Sequence, residues 1–308
     1  STDYNRKEVL LMIFFLDMLK GIFIGIANVI PGVSGGTMAV SLGIYDKLIS
    51  SISNLLHSFK KSLMTLLPII LGCMIGIVGF TYAIEYLLSN HTFITCMTFV
   101  GLILGGIPIL VTALRKELQH AQSSVGISGI AAFLILFCVA LFLPMLHSGD
   151  EVLRTFQVTP GTLLSLFLVG VIASATMVIP GVSGSLVMMI LGYYYGIIDT
   201  IKAFLDALRI LDMTGLWNGF VLLFPFGIGV LLGIFLIAKL ITFLFEKYGI
   251  QTYCAILGLI AASPFAIFYN TGLFRKLSSL TIGTVLLGIS LAVIGAVLTH
   301  LMGKYSKA

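Results

Sequence analysis

Two stretches of this chain repeat the kind of residues that hold an anion. Residues 29–35 and 178–184 both read Val-Ile-Pro-Gly-Val-Ser-Gly. Proline removes a backbone donor and glycine has little helical preference, so Pro31-Gly32 and Pro180-Gly181 break a helix in mid-run. A helix restarts after each break, at Ser34-Gly35-Gly36-Thr37 and at Ser183-Gly184-Ser185. Serine is a favoured N-cap, and glycine lets a ligand approach the backbone closely. The free N–H groups and the positive dipole end of such a helix favour an anion, and a phosphate fits them better than a metal cation does. Ser34, Thr37, Ser183 and Ser185 would add hydroxyl donors. The plainer reading is that the serines only cap their helices and the glycines only permit close packing. Two copies at matching positions favour a binding site over that reading.

The same residues allow a second chemistry. Gly32-Val33-Ser34-Gly35-Gly36 satisfies G-x-S-x-G, the pattern of a nucleophile elbow. A nucleophilic serine needs a base within hydrogen-bond reach. His57, His91, His120, His147 and His300 all fall in loops or near segment ends, and none is duplicated beside the serine. A proline directly before the glycine also suits a helix break better than a strand-to-helix elbow. A hydrolase is therefore the weaker reading, and no enzyme activity is expected. Cys73, Cys96, Cys138 and Cys254 lie in apolar runs without metal-ligand spacing, so they read as packing residues, and no metal or cofactor is implied.

The elements that hold these motifs belong in a membrane. Apolar residues make up 59% of the 308 and charged residues 9%, against about 25% charged in a soluble domain. So few charges could not cover a soluble surface of this size, and the mean hydropathy of +1.14 agrees. The excess of five positive charges comes from scattered loop residues, which excludes a nucleic-acid stripe. No small-residue cleavage site follows the first apolar run, so no cleavable signal is expected at the N-terminus.

Apolar runs cover about 8–30, 35–57, 62–88, 93–114 and 126–146, then 160–179, 184–205, 218–245, 251–269 and 280–302. Five segments followed by five suggest an internal repeat. Residues 21–45 align without a gap on 170–194, with 11 of 25 positions identical; Pro68, Gly72, Gly76 and Gly101 then fall on Pro225, Gly229, Gly233 and Gly258. The fold expected is an all-α polytopic membrane protein, one integrated domain of two halves, 1–150 and 151–308. Asp17 and Lys20 interrupt the first run, leaving Gly21 to Ile30. Ten residues rise only about 15 Å, half of a hydrocarbon core of roughly 30 Å. Each half is thus read as a re-entrant helical hairpin broken at PGVSG, about 21–45 and 160–198, plus three spans. An odd number of crossings inverts the second half relative to the first.

With the N-terminus on side A, twelve of the lysines and arginines fall on that side and five on side B. The positive-inside rule makes side A cytoplasmic, with both termini inside. Ionisable residues within a membrane are functional candidates. Glu85 lies in a span, and Lys20, Asp46, Lys47, Lys202 and Arg209 flank the hairpins. Singly they read as headgroup-level or snorkelling residues; together they are candidates for steering an anionic headgroup or, for Glu85, for carrying a coupling proton. The Tyr45 and Tyr193-Tyr194-Tyr195 positions read as interface anchors.

The paired VIPGVSGG-type motif in a hydrophobic chain of this length resembles the bacterial and archaeal polyprenyl-phosphate transporter family (PopT-like), over nearly the whole chain. The resemblance implies a flippase that returns undecaprenyl phosphate, the carrier lipid of cell-envelope synthesis, across the bacterial cytoplasmic membrane. It implies binding of that lipid's phosphate at Pro31 to Gly36 and Pro180 to Ser185. Rocking of the inverted halves would give alternating access, and the sequence leaves open coupling to protons, to sodium or to no ion. The second copy departs from the first at Ser185 for Gly36 and Leu186 for Thr37, so the two half-sites need not bind equally. A small-anion channel or exchanger uses the same helix starts; only a lipid pathway needs a lateral opening.

Overall fold

In the computed structural model of the chain, residues 2–29, 34–146, 156–180, 184–275 and 280–305 are described. Their backbone is helical and, among the described residues, holds no strand. The first half contains α1 (Thr2–Val29), α2 (Gly35–Ser41), α3 (Tyr45–Ser53), α4 (Phe59–Asn90), α5 (Thr92–Leu104), α6 (Ile107–His120) and α7 (Ile127–Phe142). The second contains α8 (Pro160–Val178), α9 (Gly184–Ile190), α10 (Tyr194–Ile210), α11 (Met213–Asn270) and α12 (Ile282–Tyr305). Seven helical stretches among the described residues are long and apolar enough to cross a bilayer. Helix is the solution that satisfies every backbone group of such a segment internally. The chain is a multi-pass membrane protein.

The long helices pair through glycine. Gly21 and Gly25 of α1 lie on the backbone of Ile69 and Cys73 in α4, and Gly72 and Gly76 of α4 lie on Met18 and Ile22. A methyl group at any of these four would overlap partner backbone, so small residues alone permit the contact. The contacts advance together in both sequences, so α1 and α4 run parallel. Gly170 on Phe226 and Gly229 on Phe167 pair α8 with the first arm of α11 in the same way. The remaining pairs cross between the halves: Gly101 and Gly105 of α5 meet Ala292 and Ala296 of α12, and Gly258 of α11 meets Phe133 of α7.

Positions matched by the sequence repeat adopt the same backbone. His91, between α4 and α5, has φ −134° and ψ 44°; its counterpart Tyr248 has φ −134° and ψ 45° and bends α11 into two arms, 213–247 and 249–270. Thr95 donates to the carbonyls of Leu87 and His91, as Thr252 does to those of Leu244 and Tyr248. Gly43 and Gly192, which follow α2 and α9, both have positive φ, 71° and 74°.

One expectation is corrected here. The expected ten-residue helix starting at Gly21 is not formed: α1 is unbroken for 28 residues and passes straight through Asp17 and Lys20. Asp17 finds a partner in Lys47 and Lys20 is packed inside the protein, so neither charge obliges the helix to end. The runs after the breaks are also not single helices; 35–57 forms the short α2 and α3, and 184–205 forms α9 and the start of α10.

Candidate functional site

The two broken segments meet. Ser34 is extended (φ −100°, ψ 134°) and leads into α2. Its hydroxyl donates to the carbonyl of Ile179 at 3.4 Å, and the hydroxyl of Tyr45 donates to the carbonyl of Val178 at 3.2 Å. Val178 ends α8, and Ile179 after it is non-helical (φ −70°, ψ 122°). Carbonyls at a helix end have no acceptor role left in their own helix, and in a dry interior they need another donor. Side chains of the first half supply it.

Gly36 completes the contact. A Cβ there would stand 2.7 Å from the Val178 carbonyl oxygen and 3.2 Å from the Pro180 nitrogen. Only glycine allows this approach. Gly35 sits against the side chain of Asn28, whose amide donates to the Ile24 carbonyl at 3.0 Å. Gly184 packs on the Ala173 carbonyl, 2.6 Å from where a Cβ would lie. Ser34, Gly35, Gly36, Thr37, Pro180 and Gly184 are all buried.

The serine expectation is corrected in one respect. Ser34 occupies the N-cap position, but its side chain does not cap α2; it serves the opposite break. Its partner is a carbonyl, not a base. Pro31, Gly32, Gly181 and Ser183 lie outside the described residues, as does the side chain of Ser185, which belongs to α9. Tyr45 is no interface anchor: it is 5% exposed and holds the second break. Its burial left no mark in the sequence. Asn28 did leave one, as an amide in an otherwise apolar run without a counterpart in the second half, where Met177 stands.

The charged candidates divide into two groups. Asp17 and Lys47 form an ion pair between α1 and α3, and Lys20 lies three residues further along α1 with its whole side chain buried. Asp46 is exposed in the first turn of α3. Lys202 and Arg209 lie on the exposed side of α10, each paired within that helix, with Asp199 at 3.6 Å and Asp206 at 3.5 Å. Glu85 lies in α4, and its side chain is outside the described residues.

An apolar groove leads away from the second break. It encloses about 360 Å³ and runs from Tyr45, Ile179 and Pro180 along Leu136 of α7 and Leu240, Leu244, Ile256 and Leu259 of α11. Leu240 and Tyr248 at its rim are 49% and 44% exposed. The groove therefore reaches the surface of the helical bundle with a largely apolar lining.

The chain is 29% identical over 258 residues to the polyprenyl-phosphate transporter of Staphylococcus aureus (strain NCTC 8325 / PS 47), covering 82% of this chain and 86% of that one. It is 29% identical over 211 residues to the polyprenyl-phosphate transporter of Vibrio cholerae serotype O1 (strain ATCC 39315 / El Tor Inaba N16961), covering 64% of this chain and 63% of the relative. No solved structure matches it. A family profile described as VCA0040-like, undecaprenyl phosphate translocase-like, matches residues 24–273, which include both broken segments, and the chain belongs to that family.

Proposed function

We propose that this protein moves a polyprenyl phosphate, undecaprenyl phosphate in the first place, between the leaflets of the bacterial cytoplasmic membrane. The phosphate is held where the two PGVSG segments meet, and the isoprenoid chain stays in lipid or in the groove beside them. The observation that carries this reading is the apolar groove ending at Ile179, Pro180 and Tyr45. A small-anion pathway has no use for a hydrocarbon-lined side opening at its binding site. The names of the two relatives and of the family support the same substrate.

In this reading, α1 with α2 and α3 forms one re-entrant hairpin, and α8 with α9 and α10 forms the other. The parallel run of α1 and α4 supports it, since the chain between them has to return to the side it came from. Three crossings per half then invert the second half, and the hairpins enter from opposite sides. The surplus of lysine and arginine on one side makes that side cytoplasmic. Because α2 and α9 have seven residues each, the N–H groups of their first turns matter more for the phosphate than a long-helix dipole. Rocking of the halves about the Ser34–Ile179 and Tyr45–Val178 contacts would open the site to each side in turn.

The test is the leaflet sidedness of fluorescent undecaprenyl phosphate in proteoliposomes, for the wild type, Ser34→Ala, Ser183→Ala and Gly36→Leu, with and without a pH or sodium gradient. Accelerated translocation that Gly36→Leu abolishes supports the proposal, and a gradient effect adds coupling. Lipid that keeps its leaflet while chloride or inorganic phosphate passes would overturn the substrate in favour of a small anion.

A further inference from the structure

The cleft between α1, α3 and the start of α4 is chemically unlike its counterpart in the other half. It encloses about 600 Å³ and is lined by Phe14 and Asp17, by Lys47, and by Lys60, Lys61 and Met64. Three ammonium groups and one carboxylate thus face a space whose other walls are apolar apart from Thr65. In the second half, the space between α10 and the start of α11 encloses about 540 Å³. There Gly196 stands for Lys47 and Asn218 for Lys61, and the charged residues of the lining are Asp199, Asp206 and Asp212, with no lysine or arginine. The repeat therefore built two related clefts, and one of them was made cationic.

A buried charge lies behind the cationic cleft. Lys20 is 0% exposed, and its Nζ has no hydrogen-bond partner among the described residues. The charges that act on it are Asp17 and Lys47. Residues three apart share a helix face, so the Asp17 carboxylate stands between an ammonium it holds, Lys47, and an ammonium without a partner, Lys20. An unpaired buried cation is costly and is kept where function needs it. Exposed Asp46, beside Lys47 on α3, completes the local set of charges.

We propose that this cleft is a second binding site, for the phosphomonoester headgroup of a membrane lipid. Lys47, Lys60 and Lys61 supply its cations. The headgroup takes Lys47 from Asp17, and Asp17 then turns its charge to Lys20, so that the carboxylate is never left unpaired. Basic pockets between membrane helices hold phosphate headgroups in this manner. The site rests on the transport reading for the identity of the lipid, and on the topology above it is the cytoplasmic-side station of the headgroup, which the acidic cleft of the other side does not offer.

Photocrosslinking tests it on the full chain in phosphatidylcholine nanodiscs. One probe, p-benzoylphenylalanine, replaces Met64 in the cleft, and a second replaces Leu136 in the central groove. The Met64 probe is expected to capture undecaprenyl phosphate, with capture falling about 5-fold for each lysine removed and about 25-fold in Lys60→Gln/Lys61→Gln. Asp17→Asn is expected to raise capture, because the competing anion is gone; a pair with a purely structural role would lower it. Should Asp17→Asn not fold, Lys20→Met/Asp17→Asn removes the stranded cation as well and is expected to show the same rise. Capture unchanged by the double glutamine variant overturns the site, as does equal capture of undecaprenol or of phosphatidylglycerol. Displacement by millimolar inorganic phosphate with no lipid captured would assign the cleft to free phosphate and overturn the lipid headgroup. If the Leu136 probe captures lipid and the Met64 probe does not, this proposal alone fails; if both are silent, the transport reading fails with it.

Discussion

The hydroxyl of Tyr45 donates to the main-chain carbonyl of Val178, 133 residues away, at 3.2 Å. It ties the start of α3 to the last residue of α8, and so the exit of one broken segment to the approach of the other. Ser34 and Ile179 make the neighbouring bond at 3.4 Å. A break in a membrane helix leaves carbonyls that water cannot reach. Here two side chains of the first half supply donors at the second break.

Removing one of these donors leaves a buried carbonyl unpaired. Tyr45→Phe is therefore expected to cost about 1–3 kcal/mol, and Ser34→Ala a similar amount or less, given its longer bond. Because both act on adjacent carbonyls, the double variant should depart from additivity. Thermal unfolding of the four proteins in one detergent reads this; additive effects would mean that the two bonds do not hold a common element.

Glycine substitutions should sort by what they meet. Gly36→Ala drives a methyl group into the Val178 carbonyl at 2.7 Å, so a loss of about 1–3 kcal/mol is expected, together with loss of lipid translocation. Gly79→Ala and Gly227→Ala meet nothing within 4 Å and should leave both properties unchanged. A Gly36→Ala protein with wild-type stability and translocation would show that the breaks do not approach as described.

Lys20→Met separates stability from function. It replaces a buried ammonium without a hydrogen-bond partner by an apolar chain of similar length, so the unfolding midpoint should rise, for a gain in unfolding free energy on the order of 1–4 kcal/mol. Translocation should fall, since Asp17 loses the charge that receives it when Lys47 turns to a headgroup. A lowered midpoint would show that Lys20 stabilises the fold.

The groove should set a preference for tail length. Ala255→Trp fills the space lined by Leu136, Leu244 and Leu259. Translocation of undecaprenyl phosphate is expected to drop at least tenfold while a two- or three-isoprene phosphate is spared, as measured in the same vesicles. Equal losses for long and short chains would place the isoprenoid elsewhere.

The two helix breaks could be read in the sequence because their determinants are local. A Pro-Gly pair in mid-run breaks a helix by local preference, apolar composition selects the membrane, and the repeat of Val-Ile-Pro-Gly-Val-Ser-Gly shows that the device was used twice. Helix-facing glycines such as Gly21, Gly25, Gly72 and Gly76 announce close packing for the same reason. The continuity of α1 was misread locally: Asp17 and Lys20 look like an end to the apolar run, yet a partner on α3 and the shelter of the protein interior let the helix continue. Partners lay beyond any local pattern. That Ser34 serves Ile179 and not its own helix, that Tyr45 is buried on Val178, and that Lys20 waits behind an Asp17–Lys47 pair all depend on side chains from distant segments arriving together. Helix breaks follow from the preferences of single residues, whereas the groups that satisfy them follow from how two halves of one chain pack, and that only the tertiary structure decides.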